Sequence, residues 1–214
     1  WGKNLLRNFS ELGVLNCVCD PDFELAESFA SQYKVDNVSF DKVVNNSDVD
    51  GVVLAVPAPL HAPLAIKALG AGKHVYVEKP LAMNLVEAQQ VIDASVASGQ
   101  HLMVGHLLQY HPVFMTLLKL VKAGEIGKLN YIYSNRLSLG KIRSEEDVIW
   151  SFAPHDISMI LSLIGQEPEL VRTEYTNTLQ TGIADSAMIH MKFKDGLKAH
   201  VAVSWLHAYK EQRL

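Results

Sequence analysis

The tripeptide Glu78-Lys79-Pro80 is the segment whose residue types and position could best support chemistry. It directly follows a predicted apolar strand, residues 74–77. Ligands of open parallel sheets bind along the edge formed by the carboxyl ends of the strands, so a lysine at this position can face a binding crevice. The alternative interpretation is a solvated charge pair at the start of a turn.

Two further segments would lie at the same edge of such a sheet. A predicted strand at residues 51–56 runs into a loop from Pro57 to His61, whose prolines would stiffen the chain beside a bound nucleotide. Asp20 follows the first predicted strand, where a carboxylate can accept hydrogen bonds from the hydroxyls of an adenosine ribose. An ordinary turn aspartate ahead of Pro21 is the alternative.

His155 and Asp156 stand near the start of a predicted helix, residues 154–164. At about 100° per residue, His155 projects almost opposite the stripe that the apolar spacing predicts to be buried. The histidine is therefore either exposed or turned toward a cleft. Asp156 in a first helical turn is also explained by the helix macrodipole. The predicted stripe comprises Ile157, Ile160, Leu161 and Ile164.

A cationic run, SNRLSLGKIR, spans residues 134–143 of an otherwise acidic chain. It contains Asn135, Arg136, Lys141 and Arg143, a group that could hold a phosphate or a carboxylate. The alternative is a solvated face of a strand. Trp150 lies close by in the sequence and could be a platform for a ligand, although aromatic side chains are more often part of the core.

Alternating apolar runs and amphipathic stretches predict a doubly wound parallel α/β sheet in the first half of the chain. Strands that are apolar throughout and separated by helices are typical of a parallel sheet covered on both faces. Asn84 and Glu87 have the spacing of a capping box before the third helix. The predicted strands are residues 14–19, 51–56, 74–77 and 101–105, and the helices are residues 22–32, 60–69 and 85–98.

Successive extended segments predict an α+β domain with a largely antiparallel sheet in the second half. The turn Lys194-Asp195-Gly196 predicts a hairpin between the last two of them. We therefore predict two domains, residues 1–107 and 108–214. The predicted helices are residues 111–123 and 154–164, and the extended segments are residues 129–139, 170–178, 186–194 and 197–205.

Composition and charge exclude several classes of protein. The 214 residues are 49% hydrophobic and 20% charged, as in ordinary globular domains, and a net charge of −4 provides no general basic field for nucleic acid. No apolar run approaches the roughly 18 to 20 residues that a membrane helix needs. We interpret the two cysteines, Cys17 and Cys19, as buried reduced thiols rather than a metal site. These features favour a cytoplasmic protein without nucleic-acid or membrane partners.

Both ends of the sequence predict a longer protein. The chain opens on a helix pattern, with no strand before it to pair with residues 14–19, and it finishes with a few strands of the second sheet. We therefore expect a fragment that lacks a first strand and a C-terminal part. Exposed edges of the sheet would favour a homo-oligomer.

These motifs resemble the Gfo/Idh/MocA family of oxidoreductases. The resemblance rests on Glu78-Lys79-Pro80 after a strand, on the Pro-x-x-x-His loop before it and on the His155-Asp156 pair, while Trp1-Gly2-Lys3-Asn4 falls at the end of the family's glycine motif. It implies an N-terminal Rossmann domain that binds NAD(P) and a C-terminal α+β domain for substrate binding and oligomerisation. The segments GHLLQYHPVF, NRLSLGKIR and WSFAPHDIS are similar to a subgroup of nucleotide-sugar dehydrogenases.

The resemblance implies hydride transfer between a nicotinamide cofactor and a sugar hydroxyl. Lys79 would bind the substrate hydroxyl and the nicotinamide ribose, and His155, with Asp156 as partner, would be the general acid/base, for which an unperturbed histidine pKa of about 6.5 is suited. Asp20 favours NAD over NADP because a carboxylate repels a 2′-phosphate. No metal is expected. The implied cofactor contacts are Gly2, Asp20, Pro57, His61, Glu78 and Lys79, and the implied substrate contacts are Asn135, Arg136, Lys141 and Trp150.

The resemblance leaves open both the class of substrate and whether the protein is a catalyst. The subgroup resemblance implies a UDP-N-acetylhexosamine or its uronic acid, whereas other members of the family act on free sugars or inositols. A non-catalytic protein that senses a nucleotide or a sugar could use the same fold. The family's two leading glycines are missing, which leaves the pyrophosphate cradle incomplete and the activity of this chain by itself open.

Overall fold

The computed structural model describes residues 1–140, 142–144 and 146–214. The chain divides into two compact units, Trp1–Gly105 and His106–Leu214. Within the described residues, no helix is both long enough and apolar enough to cross a membrane.

The first unit alternates helices with short parallel strands. Strand β3 pairs with β4 and β4 pairs with β5, all in parallel register, while β1 and β2 form a separate parallel pair. In chain order the elements are α1 (Gly2–Glu11), β1 (Cys17–Val18), α2 (Phe23–Tyr33), β2 (Asp36–Asn37), α3 (Phe40–Asn45), β3 (Gly51–Leu54), α4 (His61–Gly70), β4 (His74–Val77), α5 (Leu85–Ser98) and β5 (Leu102–Val104).

Small residues allow α4 to pack closely against the parallel sheet. Ala62, Ala65 and Leu69 lie on one face of the helix and are almost fully buried with Leu54 and Val77 of the strands. The predicted parallel α/β sheet is therefore confirmed.

Local capping sets the start of α5. The side chain of Asn84 accepts the main-chain N–H of Glu87 at 2.9 Å, and the Glu87 carboxylate accepts the N–H of Met83 at 3.4 Å. The helix therefore begins where the capping-box spacing predicts.

The prediction of two buried cysteines is wrong for Cys19. Strand β1 ends at Val18, so Cys19 lies beyond the strand and is exposed, whereas Cys17 is half-buried. Burial, together with nearby acidic groups, raises the pKa of both thiols.

The second unit is a five-stranded sheet with helices on one face. The strands are arranged in the order β10-β6-β9-β8-β7, and every neighbouring pair is antiparallel except the parallel pair β6–β9. The largely antiparallel sheet and the hairpin at Lys194–Gly196 are thus confirmed. In chain order the elements are α6 (Pro112–Lys122), β6 (Tyr131–Leu139), α7 (Val148–Ile164), β7 (Leu170–Thr176), β8 (Ser186–Lys192), β9 (Lys198–Ser204) and β10 (Leu206–Arg213).

The helix that carries His155 begins earlier than the apolar spacing predicts. Asp147 accepts the main-chain N–H of Trp150 at 3.0 Å and caps α7 at Val148, so Pro154 lies inside the helix. Proline lacks the N–H that would donate to the carbonyl four residues earlier. The hydrogen bond of the Asp147 cap and the burial of the apolar side chains of α7 together outweigh that loss. The expectation that Asp156 lies in the first turn is therefore wrong.

The buried face of α7 also differs from the predicted stripe. Ile160 is fully buried as expected, but Ile157, Leu161 and Ile164 are half-buried. The buried positions of the helix are Val148, Ser151, Ala153, Asp156, Met159, Ile160 and Leu163.

Candidate functional site

The Glu78-Lys79-Pro80 segment lies at the carboxyl end of the central strand β4, as predicted. Glu78 and Pro80 are buried and Lys79 is half-buried, and the Lys79–Pro80 peptide bond is cis. The Glu78 main-chain N–H donates to the carbonyl of Leu54 at 2.9 Å, which continues the β3–β4 ladder up to the lysine. The charged pair is therefore anchored to the sheet rather than carried by a free loop.

His61 connects the loops that follow β3 and β4. The ring is 1% exposed, with Nδ1 at 2.6 Å from the carbonyl oxygen of Pro80 and Nε2 at 2.9 Å from that of Val56. Both ring nitrogens are thus engaged with the main chain, and the ring positions the loop that carries Lys79. The cofactor contact expected of His61 stays a prediction, and the structure adds this positioning role.

Glu78, next to Lys79, has a buried carboxylate of which only one oxygen accepts a hydrogen bond from the described residues. Glu78 is 6% exposed, and its Oε1 accepts the hydroxyl of Tyr76 at 3.3 Å. Its Oε2 is buried and has no hydrogen-bond partner among the described residues. A buried acceptor without a donor is costly, so a ligand that supplies a hydroxyl or N–H there would be stabilised.

The absence of a side chain at Gly105 leaves space for the carboxylate of Glu78. The sequence analysis did not identify this role of Gly105. A Cβ at Gly105 would lie 2.8 Å from the Tyr76 hydroxyl and 3.0 Å from Oε1 of Glu78. The only sequence signal is a glycine at the end of the last strand predicted for the first unit, residues 101–105.

The other predicted cofactor contacts are more exposed. Asp20 is exposed beyond β1, and its Oδ1 accepts the main-chain N–H of Asp22 at 3.0 Å. Pro57 is exposed and precedes a 3-10 turn. A Cβ at Gly2 would meet that of Ala55 at 3.8 Å, an ordinary contact, so packing in this structure does not require a glycine there. Their roles toward a cofactor remain predictions.

In the second unit, Asp156 is the centre of a buried ionic network. Nε of Arg136 donates to Oδ2 at 2.5 Å, Nη2 donates to Oδ1 at 3.4 Å, and the hydroxyl of Ser134 donates to Oδ1 at 2.5 Å. The side chain of Asp156 is 2% exposed and that of Arg136 is 12% exposed. Ser134 and Arg136 are two residues apart on β6, so they reach α7 from the same face of the sheet.

Several members of the cationic run have partners in the protein. Arg143 contacts the carboxylate of Glu146 at 2.8 Å, and the side-chain amide of Asn135 donates to Glu211 at 2.9 Å. Because Arg136 is also paired, part of the positive charge that the sequence offers to a substrate is neutralised internally. Lys141 lies outside the described residues, and Trp150 is 37% exposed in the first turn of α7. Substrate binding by these residues stays a prediction.

His155 lies beside this network on α7 and is half-buried. Its main-chain carbonyl accepts the hydroxyl of Ser158 at 2.8 Å. The buried neighbour Asp156 holds this part of α7 against β6, so the backbone that carries the imidazole is fixed. The role of His155 as general acid/base stays a prediction.

Two family models match the chain along almost its whole length. Residues 2–106 match the model described as oxidoreductase family, NAD-binding Rossmann fold, and residues 114–214 match the GFO/IDH/MocA C-terminal domain. The chain belongs to the Gfo/Idh/MocA family of oxidoreductases. The unit Trp1–Gly105 is therefore a Rossmann domain of an NAD-binding family, as the motifs imply.

Relatives of this Gfo/Idh/MocA chain are named for different substrates. The inositol 2-dehydrogenase 4 of Saccharopolyspora erythraea is 29% identical over 197 residues, which are 88% of this chain and 58% of that protein. The scyllo-inositol 2-dehydrogenase (NAD(+)) of Bacillus subtilis is 27% identical, with 97% of this chain and 64% of that protein covered. The chain spans about three fifths of the length of the curated relatives it matches.

A solved structure resembles the Gfo/Idh/MocA chain closely. The UDP-N-acetylglucosamine 3-dehydrogenase GnnA from Acidithiobacillus ferrooxidans has a TM-score of 0.89 at 28% identity, with 99% of this chain and 68% of that chain covered. The two-part fold of this chain is therefore shared with a nucleotide-sugar dehydrogenase, while its sequence is similarly close to inositol dehydrogenases.

Proposed function

We propose that this chain belongs to an NAD-dependent oxidoreductase that transfers hydride between a nicotinamide cofactor and a hydroxyl group of a sugar or an inositol. The observation that carries the proposal is the anchored Glu78-Lys79 pair at the carboxyl edge of the Rossmann sheet. Membership of an oxidoreductase family and relatives named as dehydrogenases support it.

The residues at this edge fit a nicotinamide dinucleotide. Oε2 of Glu78 is a buried acceptor in need of a donor, and the exposed carboxylate of Asp20 can accept hydrogen bonds from ribose hydroxyls. Lys79 would donate to the nicotinamide ribose. When bound, the cofactor supplies the hydride acceptor or donor. Because a carboxylate repels a 2′-phosphate, we propose NAD rather than NADP.

The proton chemistry would be carried by Lys79 and His155. The ammonium group of Lys79 would donate to the substrate hydroxyl and stabilise the alkoxide that forms as its proton leaves. A ring nitrogen of His155 would accept that proton, and in the opposite direction return it. Asp156 would act as a positioning residue, because its carboxylate is already bound to Arg136 and Ser134.

Within this class we propose a nucleotide sugar, such as a UDP-N-acetylhexosamine or its uronic acid, as the substrate. The cationic run of β6 and the likeness to a UDP-N-acetylglucosamine dehydrogenase support this choice. The internal pairing of Arg136 and Arg143 weakens the case for diphosphate binding, and Asn135 is likewise bound to Glu211, so Lys141 and Trp150 become the more important contacts. A substrate panel of UDP-sugars, free sugars and inositols decides between the classes by their kcat/KM values.

The first test is a titration of the folded chain with NADH and, separately, NADPH, followed by nicotinamide fluorescence. Saturable binding that prefers NADH supports the proposal, and preference for NADPH contradicts the role of Asp20. Absence of binding to both means either that the missing glycine turn is indispensable or that the non-catalytic alternative holds. Repeating the titration with the upstream strand restored decides between these two: binding that returns supports the proposal, and binding that stays absent contradicts it. Lys79→Ala should abolish turnover of the responding substrate while the fold is retained, and Lys42→Ala, at an exposed lysine of the same unit, is the matched control.

We also propose that the second unit self-associates through strand β7. All seven residues of β7 are exposed, and it is an edge strand of the sheet. Unpaired edges template pairing with another chain. Light scattering should show an oligomer that Val171→Lys on this edge dissociates, and an unchanged mass for that variant contradicts the use of β7.

A further inference from the structure

Two histidines face each other on the open face of the second sheet. His190 of β8 and His200 of β9 are direct partners in the antiparallel register. Their ring centroids are 4.5 Å apart with the planes nearly perpendicular at 88°, and the two Nδ1 atoms are 2.5 Å apart. Both side chains are half-buried. None of the proposed oxidoreductase chemistry uses this pair.

The two imidazoles contact each other through nitrogens that can also bind a metal ion. Between two neutral imidazoles, one Nδ1–H can donate to the lone pair of the other, and this is the contact that the structure shows. The same two nitrogens lie on adjacent strands and could bind one metal ion together. The neutral imidazole is the form of histidine that binds metals.

We propose that His190 and His200 form a binding site for a divalent transition-metal ion that prefers imidazole, with Cu²⁺ bound more tightly than Ni²⁺ or Zn²⁺. Metal–nitrogen bonds of about 2.0 to 2.1 Å at a right angle require the two nitrogens to be about 3 Å apart. The Nδ1 atoms therefore have to separate by about 0.5 Å, which half-buried rings can achieve by small rotations. Both rings coordinate as Nε2–H tautomers, so no net proton is released when both are neutral.

The surroundings limit the affinity of this site. Among the described residues no group of three or more His, Cys, Asp or Glu side chains could hold a metal, so water has to complete the coordination. On the same face, Arg172 is the register partner of His190, and Lys192 opposes Lys198 beside the pair. These cations repel a divalent ion, whereas Glu174, also on this face, partly offsets them. The Irving–Williams order then makes Cu²⁺ the sharpest probe.

The experiment is a titration of the folded chain with Cu²⁺ at pH 7.5 in a weakly coordinating buffer, by calorimetry and electron paramagnetic resonance. We expect one saturable site whose spectrum shows two equatorial nitrogens. His190→Ala and His200→Ala should each weaken binding at least tenfold and remove the two-nitrogen signature. Circular dichroism establishes that each variant is folded, and His190→Gln provides a second variant that keeps the side chain polar.

The matched control is His74→Ala, which removes one member of another histidine pair. His74 and His101 have ring centroids 4.9 Å apart, but Nδ1 of His74 accepts the main-chain N–H of His101 at 3.0 Å and is committed to the fold. Binding to this variant should be unchanged. Undiminished binding to folded His190→Ala or His200→Ala, or a loss in His74→Ala alone, would overturn the proposal.

Charge gives an independent check. Lys192→Gln combined with Lys198→Gln removes two nearby cations and should tighten Cu²⁺ binding severalfold. Affinity that is insensitive to this double substitution would contradict ligation by this pair.

Discussion

Replacement of Arg136 by methionine tests the buried network that holds α7 against β6. The guanidinium contacts a carboxylate that is only 2% exposed, and its own side chain is 12% exposed. Methionine retains much of the apolar length of arginine but removes both donors. Asp156 would then keep a single hydrogen bond, from Ser134.

The expected loss follows from leaving a charge buried. Removing one partner of a buried ion pair costs about 3–5 kcal/mol, because the remaining charge is uncompensated. Because the hydrogen bond from Ser134 remains, the loss should lie at the lower end of this range. We therefore expect Arg136→Met to lower the free energy of unfolding by about 3 kcal/mol. Adding Asp156→Leu removes the charge, and the hydroxyl of Ser134 can then donate to the carbonyl oxygen of Arg213, which is 2.9 Å away. The double variant should therefore recover most of that stability.

Equilibrium unfolding in urea, followed by circular dichroism and tryptophan fluorescence, measures these differences. The buried Trp205 reports on the second unit. Arg7→Met is the control, because its partner Glu11 is 3.8 Å away and both side chains are well exposed, so a loss below about 1 kcal/mol is expected. An Arg136→Met loss as small as the control, or a double variant no more stable than the single one, would refute the reasoning.

Three further substitutions test individual contacts by the same unfolding assay. Burial raises the pKa of Asp185, but hydrogen bonds from two main-chain N–H groups and the Trp205 indole bring it below its ordinary value of 3.8. The ionised Asp185 carboxylate therefore stabilises the folded protein fully above about pH 4, and this stabilisation is lost as the pH falls through the lowered pKa. Asp185→Asn should lower the free energy of unfolding by about 1–3 kcal/mol at pH 7 and make it depend less on pH in the acid range. Gly105→Ala should cost about 1–3 kcal/mol by displacing Glu78, and weaker NADH binding should accompany it. Asp147→Ala removes the cap of α7 and should cost about 1 kcal/mol; no change in the unfolding midpoint would contradict that role.

Sequence patterns were sufficient for most of the elements and for the family. Apolar runs located β3, β4 and β5, and the Asn84 cap located the start of α5, because both signals lie within a few consecutive residues. Strands β2 and β10 were missed. Asp36–Asn37 is too short and polar to form an apolar run, and Leu206–Arg213 is mostly polar at an edge of its sheet.

The contacts of the candidate site depended on the tertiary structure. His61 and Pro80 are 19 residues apart, and Arg136 and Asp156 are 20 residues apart, so no local spacing connects them. The sequence identified each residue type as chemically capable, but only the fold shows that His61 bridges two loops and that Asp156 neutralises Arg136. Hydrophobic periodicity and capping act along the chain, whereas ion pairing and close packing, as at Gly105, act between segments that meet only after folding.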